Sequence, residues 1–563
     1  MTSDRLPKRE PGQPGRRASH SLVVHFGVGL MVLLAGFAGE THAQADAHAG
    51  HALGVVDFPV SCSEPAQLAF NHAVALLHHM TYPQAREAFQ QVATIDPECA
   101  MAHWGIAMTL FQPLWPTRPK PEALQHGWKE VQKARALQPP TQREQLFVAA
   151  AEAFFLEPAS TDYWLRIRRW EQAEEKVHAA YPDDPEADVF YALALLATAP
   201  SDAVSRTHAD QAAEILLGVY ARNQDHPGAM HYLVHANDVP GRERESLEIM
   251  RRYEALAPRN PHALHMPTHI YTRLGDWDAV IRGNLRAADA ALEYPAGDQG
   301  QFVWDEFPHA IEYLVYAYLQ KGADEEAAAQ LKRLRTTPRL EPSFKTAFHL
   351  ASTQSRYALE RRAWNEAVLI VPREPASLDW DRFAWPEAIA RFAGGLGAAH
   401  LGRLDEARVA STRLGELAAA ARKGKEDLFA RNIEVLRLGL DAWIAQAEGQ
   451  HESGIGLMRQ ATELETSTPK HAVTPGPTLP AHELLGDLLM EQKQPTEALV
   501  AYKRSMELYP KRFNGLLGAA RAARAIGDES QARSFYAQLL QVAAGGTRQH
   551  ALEEAQAYVA GRG

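Results

Sequence analysis

The sequence predicts an all-α fold in which helical hairpins stack one after another as a solenoid. Apolar residues recur at three- and four-residue spacing along most of the chain, as they do on the buried face of a helix. No segment shows the run of alternating apolar and polar residues that is typical of a half-buried strand. Near the middle of the chain the pattern repeats after 34 residues, the length of one helix–turn–helix unit.

Length and charge restrict the class of protein. The chain has 563 residues, of which 46% are hydrophobic. In a repeat protein such a length means more repeats, each of which contacts its neighbours, and does not require several unrelated domains. The formal net charge is −11, which argues against nucleic acid or an anionic membrane as the main partner.

The first 45 residues resemble an export signal. A polar stretch with Arg16 and Arg17 precedes the apolar run Ser21–Ala38, and the small-x-small sequence Ala43–Ala45 follows. We expect residues 1–45 to be removed and the protein to be periplasmic or secreted. The alternative is an uncleaved membrane anchor, because the apolar run approaches the length that spans a bilayer.

Residues 46–62 are small and polar, and we expect them to form a flexible tail. The chain contains two cysteines, Cys62 and Cys99. In an oxidising compartment they are expected to form one disulfide bond, which would join this tail to the end of the first hairpin.

Changes of pattern divide the rest of the chain into five parts. A Pro/Thr/Gly-rich stretch that begins at Thr466 is predicted to be a linker. The predicted parts are N-terminal hairpins (63–225), a central histidine-rich block (226–342), further hairpins (343–465), the linker (466–478) and a C-terminal pair of repeats with a capping helix (479–563).

The central block carries the strongest sign of a functional site. Six of the 25 histidines lie between His226 and His269. His231 and His235 are four residues apart, as are His265 and His269, and the second pair follows the first by 34 residues. A spacing of four places two side chains on one face of a helix. Two successive hairpins should therefore present a histidine pair at the same structural position.

Several segments resemble tetratricopeptide (TPR) repeats. In the last two repeats the matching positions are Leu485, Gly486, Ala498, Tyr502 and Pro510. The sequences HPGAMHYLVHA, PHALHMPTHIYTRLGDW and HAIEYLVYAYLQ also resemble a group of exported bacterial TPR proteins. The resemblance implies a right-handed superhelix in which the first helix of each hairpin lines the concave surface. It also implies that both histidine pairs, with His262, His309 and Glu312, face this groove.

From this placement we predict a transition-metal site in the groove. The predicted ligands are His231, His235, His265 and His269. Candidates for a further ligand, a second metal or an orienting group are His262, His309, Glu312 and Asp238. Imidazole suits copper, zinc, nickel and iron; copper or zinc is favoured, iron is possible, and the lack of cysteine ligands argues against a thiolate zinc site.

Three functions agree with these patterns. In the first, the protein is a metalloenzyme in which Glu312 or Asp238 acts as base. In the second, it is a metal carrier or an interaction scaffold whose repeats 479–542 bind a partner peptide. In the third, the groove binds a peptide or carboxylate without any metal. The sequence contains no HExxH, GxSxG or P-loop motif, so these common catalytic sites are not expected.

Overall fold

The computed structural model describes residues 52–115, 118–160, 162–199, 206–297 and 299–561. Within these ranges the regular secondary structure is helical apart from two short strands, which confirms the all-α fold. The helices of the N-terminal half are α1 (Glu64–His78), α2 (Tyr82–Ile95), α3 (Ala100–Met108), α4 (Pro121–Ala136), α5 (Gln142–Phe155), α6 (Tyr163–Ala180), α7 (Pro185–Ala197), α8 (Thr207–Arg222), α9 (Pro227–Asn237), α10 (Leu247–Leu256), α11 (Pro261–His265), α12 (Pro267–Leu274) and α13 (Trp277–Ala291).

The C-terminal half continues in the same way. Its helices are α14 (Glu306–Gln320), α15 (Asp324–Thr336), α16 (Phe344–Glu360), α17 (Trp364–Ala367), α18 (Ala384–His400), α19 (Leu404–Lys423), α20 (Asp427–Ala447), α21 (His451–Thr466), α22 (Ala481–Glu491), α23 (Pro495–Leu508), α24 (Phe513–Ala525), α25 (Glu529–Val542) and α26 (Gln549–Val559), with a 3-10 turn at Trp380–Arg382. Strand β1 (Pro295–Ala296) pairs antiparallel with β2 (Phe302–Val303) in the insertion that precedes α14.

Consecutive helices pack as hairpins, and glycine closes the turns that the 34-residue pattern predicts. Gly275, at the end of α12, has φ +62°, and Gly322, after α14, has φ +63°. This left-handed conformation ends a helix and is adopted most easily by glycine. A side chain at Gly322 would also collide with the ring of Phe513, 2.7 Å from the position of its Cβ.

The C-terminal hairpins pack against the central hairpins, although they are distant in sequence. The indole Nε1–H of Trp277 donates to the carbonyl of Lys511 at 2.9 Å. The buried guanidinium of Arg512 donates to Tyr316 Oη (2.8 Å) and to Glu360 Oε1 (2.7 Å). These contacts cover the inner surface of the central block. Positions that were expected to face the groove are therefore covered by other parts of the chain.

The predicted linker is one of the segments that fill the inner surface. Val473, Thr474 and Leu479 are buried, and Lys470 is nearly so. Arg356, from α16, donates to the carbonyl of Pro477 at 2.6 Å and to Thr474 Oγ1 at 2.9 Å. Backbone oxygens of the segment accept hydrogen bonds from a buried guanidinium, so this part of the predicted linker is packed in the interior.

The end of the predicted flexible tail is also packed. Leu53 and Phe58 are buried, and the amide of Val55 donates to the carbonyl of Asp225 at 2.9 Å. Cys62 and Cys99 are joined by a disulfide bond. The predicted signal segment, residues 1–45, lies outside the described residues. No helix within the described ranges has the length and apolar character needed to cross a membrane.

Candidate metal centre

Six histidine side chains from three neighbouring hairpins converge in the interior as two groups of three. His231, His235 and His262 form the first group, in which Nε2 of His231 lies 3.1 Å from Nε2 of His262 and 3.3 Å from Nε2 of His235. The second group consists of His265, His269 and His309. In each group one nitrogen from every ring lies within 4.8 Å of the other two.

The two groups adjoin each other. The ring centres of His235 and His269 are 6.1 Å apart, and those of His262 and His265 are 6.3 Å apart. In the second group, Nε2 of His265 lies 3.0 Å from Nε2 of His269. The four predicted ligands and the two additional candidates, His262 and His309, therefore all belong to one cluster of six rings.

Local sequence explains how the helices present these rings. The side chain of His226 caps α9 and Asn260 caps α11, and each helix then begins with a proline, which suits the first helical turn. Pro267 interrupts the second repeat and divides it into α11 and α12. His265 thus ends one helix and His269 lies in the first turn of the next, with both rings on the same side.

In five of the six rings the other nitrogen is engaged outside the cluster. His231 Nδ1–H donates to the backbone carbonyl of His78 at 2.6 Å. The remaining Nδ1 contacts of this kind are His262 with Glu306 Oε2 (3.0 Å), His265 with Asn284 Oδ1 (2.7 Å) and His269 with Asp238 Oδ2 (2.9 Å). Each of these partners is an oxygen acceptor, so the ring proton belongs on Nδ1 and Nε2 keeps a free lone pair.

His309 is oriented through a second imidazole. Nδ1 of His349 contacts Glu312 Oε2 at 2.5 Å, so His349 donates there and its Nε2 is an acceptor. His309 Nδ1 lies 3.0 Å from this Nε2 and must therefore donate to it. Nε2 of His309 is left as a lone pair, like that of the other rings.

Burial favours the neutral form of five of these imidazoles. Burial, and then the neighbouring histidines, hold the pKa values of His231, His235, His265 and His309 well below the usual range. Burial likewise lowers the pKa of His269 to about 4, although Asp238 opposes the shift. His265 and His269 each donate their Nδ1 proton to an oxygen atom outside the cluster, so their facing Nε2 atoms, 3.0 Å apart, have no proton to share. A cation between them would convert this repulsion between lone pairs into coordination.

The two carboxylates that we considered as bases lie behind the rings. Burial alone would raise the pKa of Asp238, but Lys470, Arg273 and the hydrogen bond from His269 hold it well below its usual range. Glu312 accepts from Ser352 Oγ (2.6 Å) and Arg356 Nε (2.9 Å) as well as from His349. Both groups already have several donors, so the geometry corresponds to the orienting role that the sequence left open and not to a free base.

Several partners of the cluster carry no signal in the sequence. The acceptor for His231 is a backbone carbonyl, which any residue at position 78 would supply. His349 lies 40 residues after His309, so it does not follow the 34-residue spacing. Its position in α16, the first helix of the next hairpin, is the one feature that could have suggested it. Asn284 lies in the second helix of its hairpin, on the face that the pattern assigns to packing.

A third group of potential ligands has a different character. His78 Nε2 and His226 Nε2 each contact one oxygen of Glu186, at 2.8 Å and 3.1 Å. The hydroxyl of Tyr232 lies 3.2 Å from His78 Nδ1, and the amide of Ala229 donates to His226 Nδ1 at 3.3 Å. Every ring nitrogen here has a partner with which it can share a proton. This group is a complete hydrogen-bond network, unlike the six-histidine cluster.

A small cavity adjoins the cluster. Its volume is about 20 Å³, enough for one water-sized group. The lining residues are Leu114, Trp115, His235, His262, Met266, His269, His309, Lys345, Ala472 and Val473. A ligand of one or two atoms could reach the facing nitrogen atoms here without any change in the fold.

Comparison with known proteins adds little to this description. No protein-family model matches the chain, and no curated protein matches it in sequence. Among solved structures, yeast Tom70 matches with 11% identity over 89% of this chain and 96% of its own, at a TM-score of 0.31. The Cut9–Hcn1 tetramer of the APC/C matches with 13% identity over 87% of this chain and 96% of its own, at 0.28. The helical-hairpin fold therefore rests on the helices of the chain itself.

Proposed function

We propose that this helical-hairpin protein holds two transition-metal ions side by side, each bound by one group of three histidines. The observation that carries the proposal is the set of Nε2 lone pairs that face one another in a buried place. Five of the six rings have their proton committed to an acceptor outside the cluster. Orienting hydrogen bonds of this type accompany almost all metal-bound histidines.

Copper fits this donor set best. All six candidate donors are imidazoles, and copper lies at the top of the affinity order for nitrogen ligands. Zinc is the second choice, since three histidines with an open position also form catalytic zinc sites. An iron site with two histidines and one carboxylate has less support, because Asp238 and Glu312 are engaged behind the rings.

Burial favours a resident cofactor over a transported ion. His231 and His265 are fully buried, and the ion would be enclosed by α9, α11, α12 and α14. A carrier needs a site that exchanges its ion with a partner. Three protein ligands per ion leave an open position for a small ligand, as in metalloenzymes. The ions would polarise and bind such a ligand, and the protein would fix their spacing and exclude water. A metalloenzyme is therefore the form that we propose.

An interaction scaffold remains the second candidate. Helical hairpins are suited to peptide binding, and Arg356 already binds the extended backbone of the chain's own residues 476–477. That segment occupies the inner surface. A partner would instead use the C-terminal hairpins, where Val500 is 66% exposed.

The proposal is tested by elemental analysis of untagged protein. The protein is purified from the periplasm or the medium, where the sequence predicts it. We expect about two equivalents of one metal, as for two three-histidine sites. The variant His265→Ala/His269→Ala should lose at least one of them. The control His103→Ala/His126→Ala removes two histidines that contact Glu130, away from the cluster, and should keep both ions.

Two results would count against the metal centre. One is a wild type that contains no metal and takes up neither copper nor zinc on titration. The other is equal loss of metal from both double variants. Either result, combined with capture of a defined peptide by the C-terminal hairpins, would favour the scaffold.

A further inference from the structure

A second and larger cavity adjoins the small cavity beside the six-histidine cluster. Its volume is about 560 Å³, within the range of small-molecule sites. It shares four lining residues with the small inner cavity: Leu114, Trp115, His235 and Ala472. His235 is also the one histidine of the six that is not fully buried. These four residues form the neck between the outer cavity and the proposed metal ions.

The neck restricts what can reach the ions. The inner cavity, of about 20 Å³, holds one or two atoms. A larger molecule must therefore remain in the outer cavity and extend a single donor atom past Trp115 and His235. The donor must protrude from the body of the molecule, as a hydroxyl group does.

The walls of the outer cavity suit a flat aromatic body. Four aromatic side chains line it: Trp115, Tyr163, Trp164 and Phe429. Aromatic rings stack favourably against such walls. Three of the four Lys and Arg side chains in the lining are paired with a carboxylate: Arg118 with Glu426 (2.9 Å), Lys425 with Asp162 (2.6 Å) and Lys470 with Asp238 (2.7 Å). The guanidinium of Arg118 also lies over the rings of Tyr163 and Trp164, 3.9 Å and 5.1 Å from their centres. The cavity therefore offers more to a ring than to a strongly charged ligand.

We infer that the outer cavity binds a phenolic compound, whose ring packs against the aromatic side chains of the lining and whose oxygen passes the neck toward the open position beside His235. On binding, the hydroxyl proton would leave to bulk water and the phenolate oxygen would become the ligand. This inference rests on the proposed metal centre, which supplies the acceptor for that oxygen.

The test uses full-length protein loaded with two equivalents of copper and 4-nitrophenol, a coloured phenol with a single hydroxyl group. Its absorption spectrum should shift on binding and saturate at one equivalent per protein. The variant Leu114→Trp, which fills the neck, should abolish the shift, and Trp164→Ala should weaken binding about tenfold through loss of stacking. Trp128→Ala is the matched control, because Trp128 is also half-buried but does not line the cavity.

The copper content of each sample is measured after dialysis, so that the metal centre and the phenol site are tested independently. Two copper ions with no shift, or with equal affinity in all variants, would overturn the phenol site and leave the metal centre intact. A shift with loss of copper would mean that the probe strips the metal, and it too would overturn the inference. A wild type that binds no copper would overturn both.

Discussion

Replacing Asn284 by alanine is expected to lower the affinity for one of the two proposed metal ions and to leave the affinity for the other unchanged. Asn284 is fully buried, accepts from His265 Nδ1 at 2.7 Å and donates to the carbonyl of Val280 at 2.9 Å. It touches a ring of the second histidine group alone. The first group, which contains His231, is oriented by other acceptors.

The structure gives the size of the effect. Without Asn284 the buried N–H of His265 has no acceptor, which costs about 1–3 kcal/mol of folding stability. Loss of an orienting partner typically lowers metal affinity by about 10- to 100-fold, or about 1.4–2.7 kcal/mol. This second effect should fall on one binding step.

Competition with a chelator of known affinity resolves the two binding steps, and urea unfolding measures stability separately. The matched control is Asn432→Ala. Asn432 makes the same kind of bond within its own helix, to the carbonyl of Leu428 at 2.8 Å, but contacts none of the six rings. Equal weakening of both steps in Asn284→Ala, or the same loss in the control, would refute the assignment of this residue to one ion.

Three further outcomes follow from the structure. Burial raises the pKa of Glu174, which accepts from Trp170 Nε1, to about 8. The folded state keeps this carboxyl protonated while the unfolded state releases the proton, so its contribution to stability falls as pH rises from about 4.5 through 8. Glu174→Gln should thus remove about 3 kcal/mol of pH dependence between pH 5 and pH 8 in urea unfolding; identical slopes in both proteins would contradict this. Gly105→Ala places a Cβ 2.2 Å from the ring of Phe89, and should cost about 1–3 kcal/mol in the same assay, whereas an unchanged midpoint would show that the ring can move. Removal of metal by a chelator should lower the melting temperature, because an ion at 1,000 times its Kd stabilises the fold by about 4 kcal/mol; an unchanged melting temperature would argue that the rings hold no ion.

Local pattern was sufficient to predict the hairpins and the two histidine pairs. The C-terminal repeats, predicted to end at residue 542, end there with α25 (Glu529–Val542). His231 and His235 lie one turn apart on α9, as their spacing requires. These features depend on contacts within one hairpin, and the spacing of apolar residues along the sequence predicts such contacts directly.

The closure of the inner surface could not be predicted in the same way. It depends on Arg512, which joins Tyr316 and Glu360 across more than a hundred residues, and on Lys470, which reaches Asp238 from a segment without helical pattern. Periodicity contains no information about such pairs. The acceptors behind the rings were missed for a related reason, since a carbonyl or an amide is unremarkable in any sequence.

The closure also affects how this chain can change during evolution. An open solenoid gains or loses repeats at small cost, because each unit contacts only its neighbours. Here the contact of Arg512 with α14 fixes how many hairpins lie between them. An inserted or deleted repeat would separate Lys470 from Asp238 and open the histidine cluster to water. Relatives that keep the six histidines should therefore keep the same number of hairpins and vary mainly in their loops.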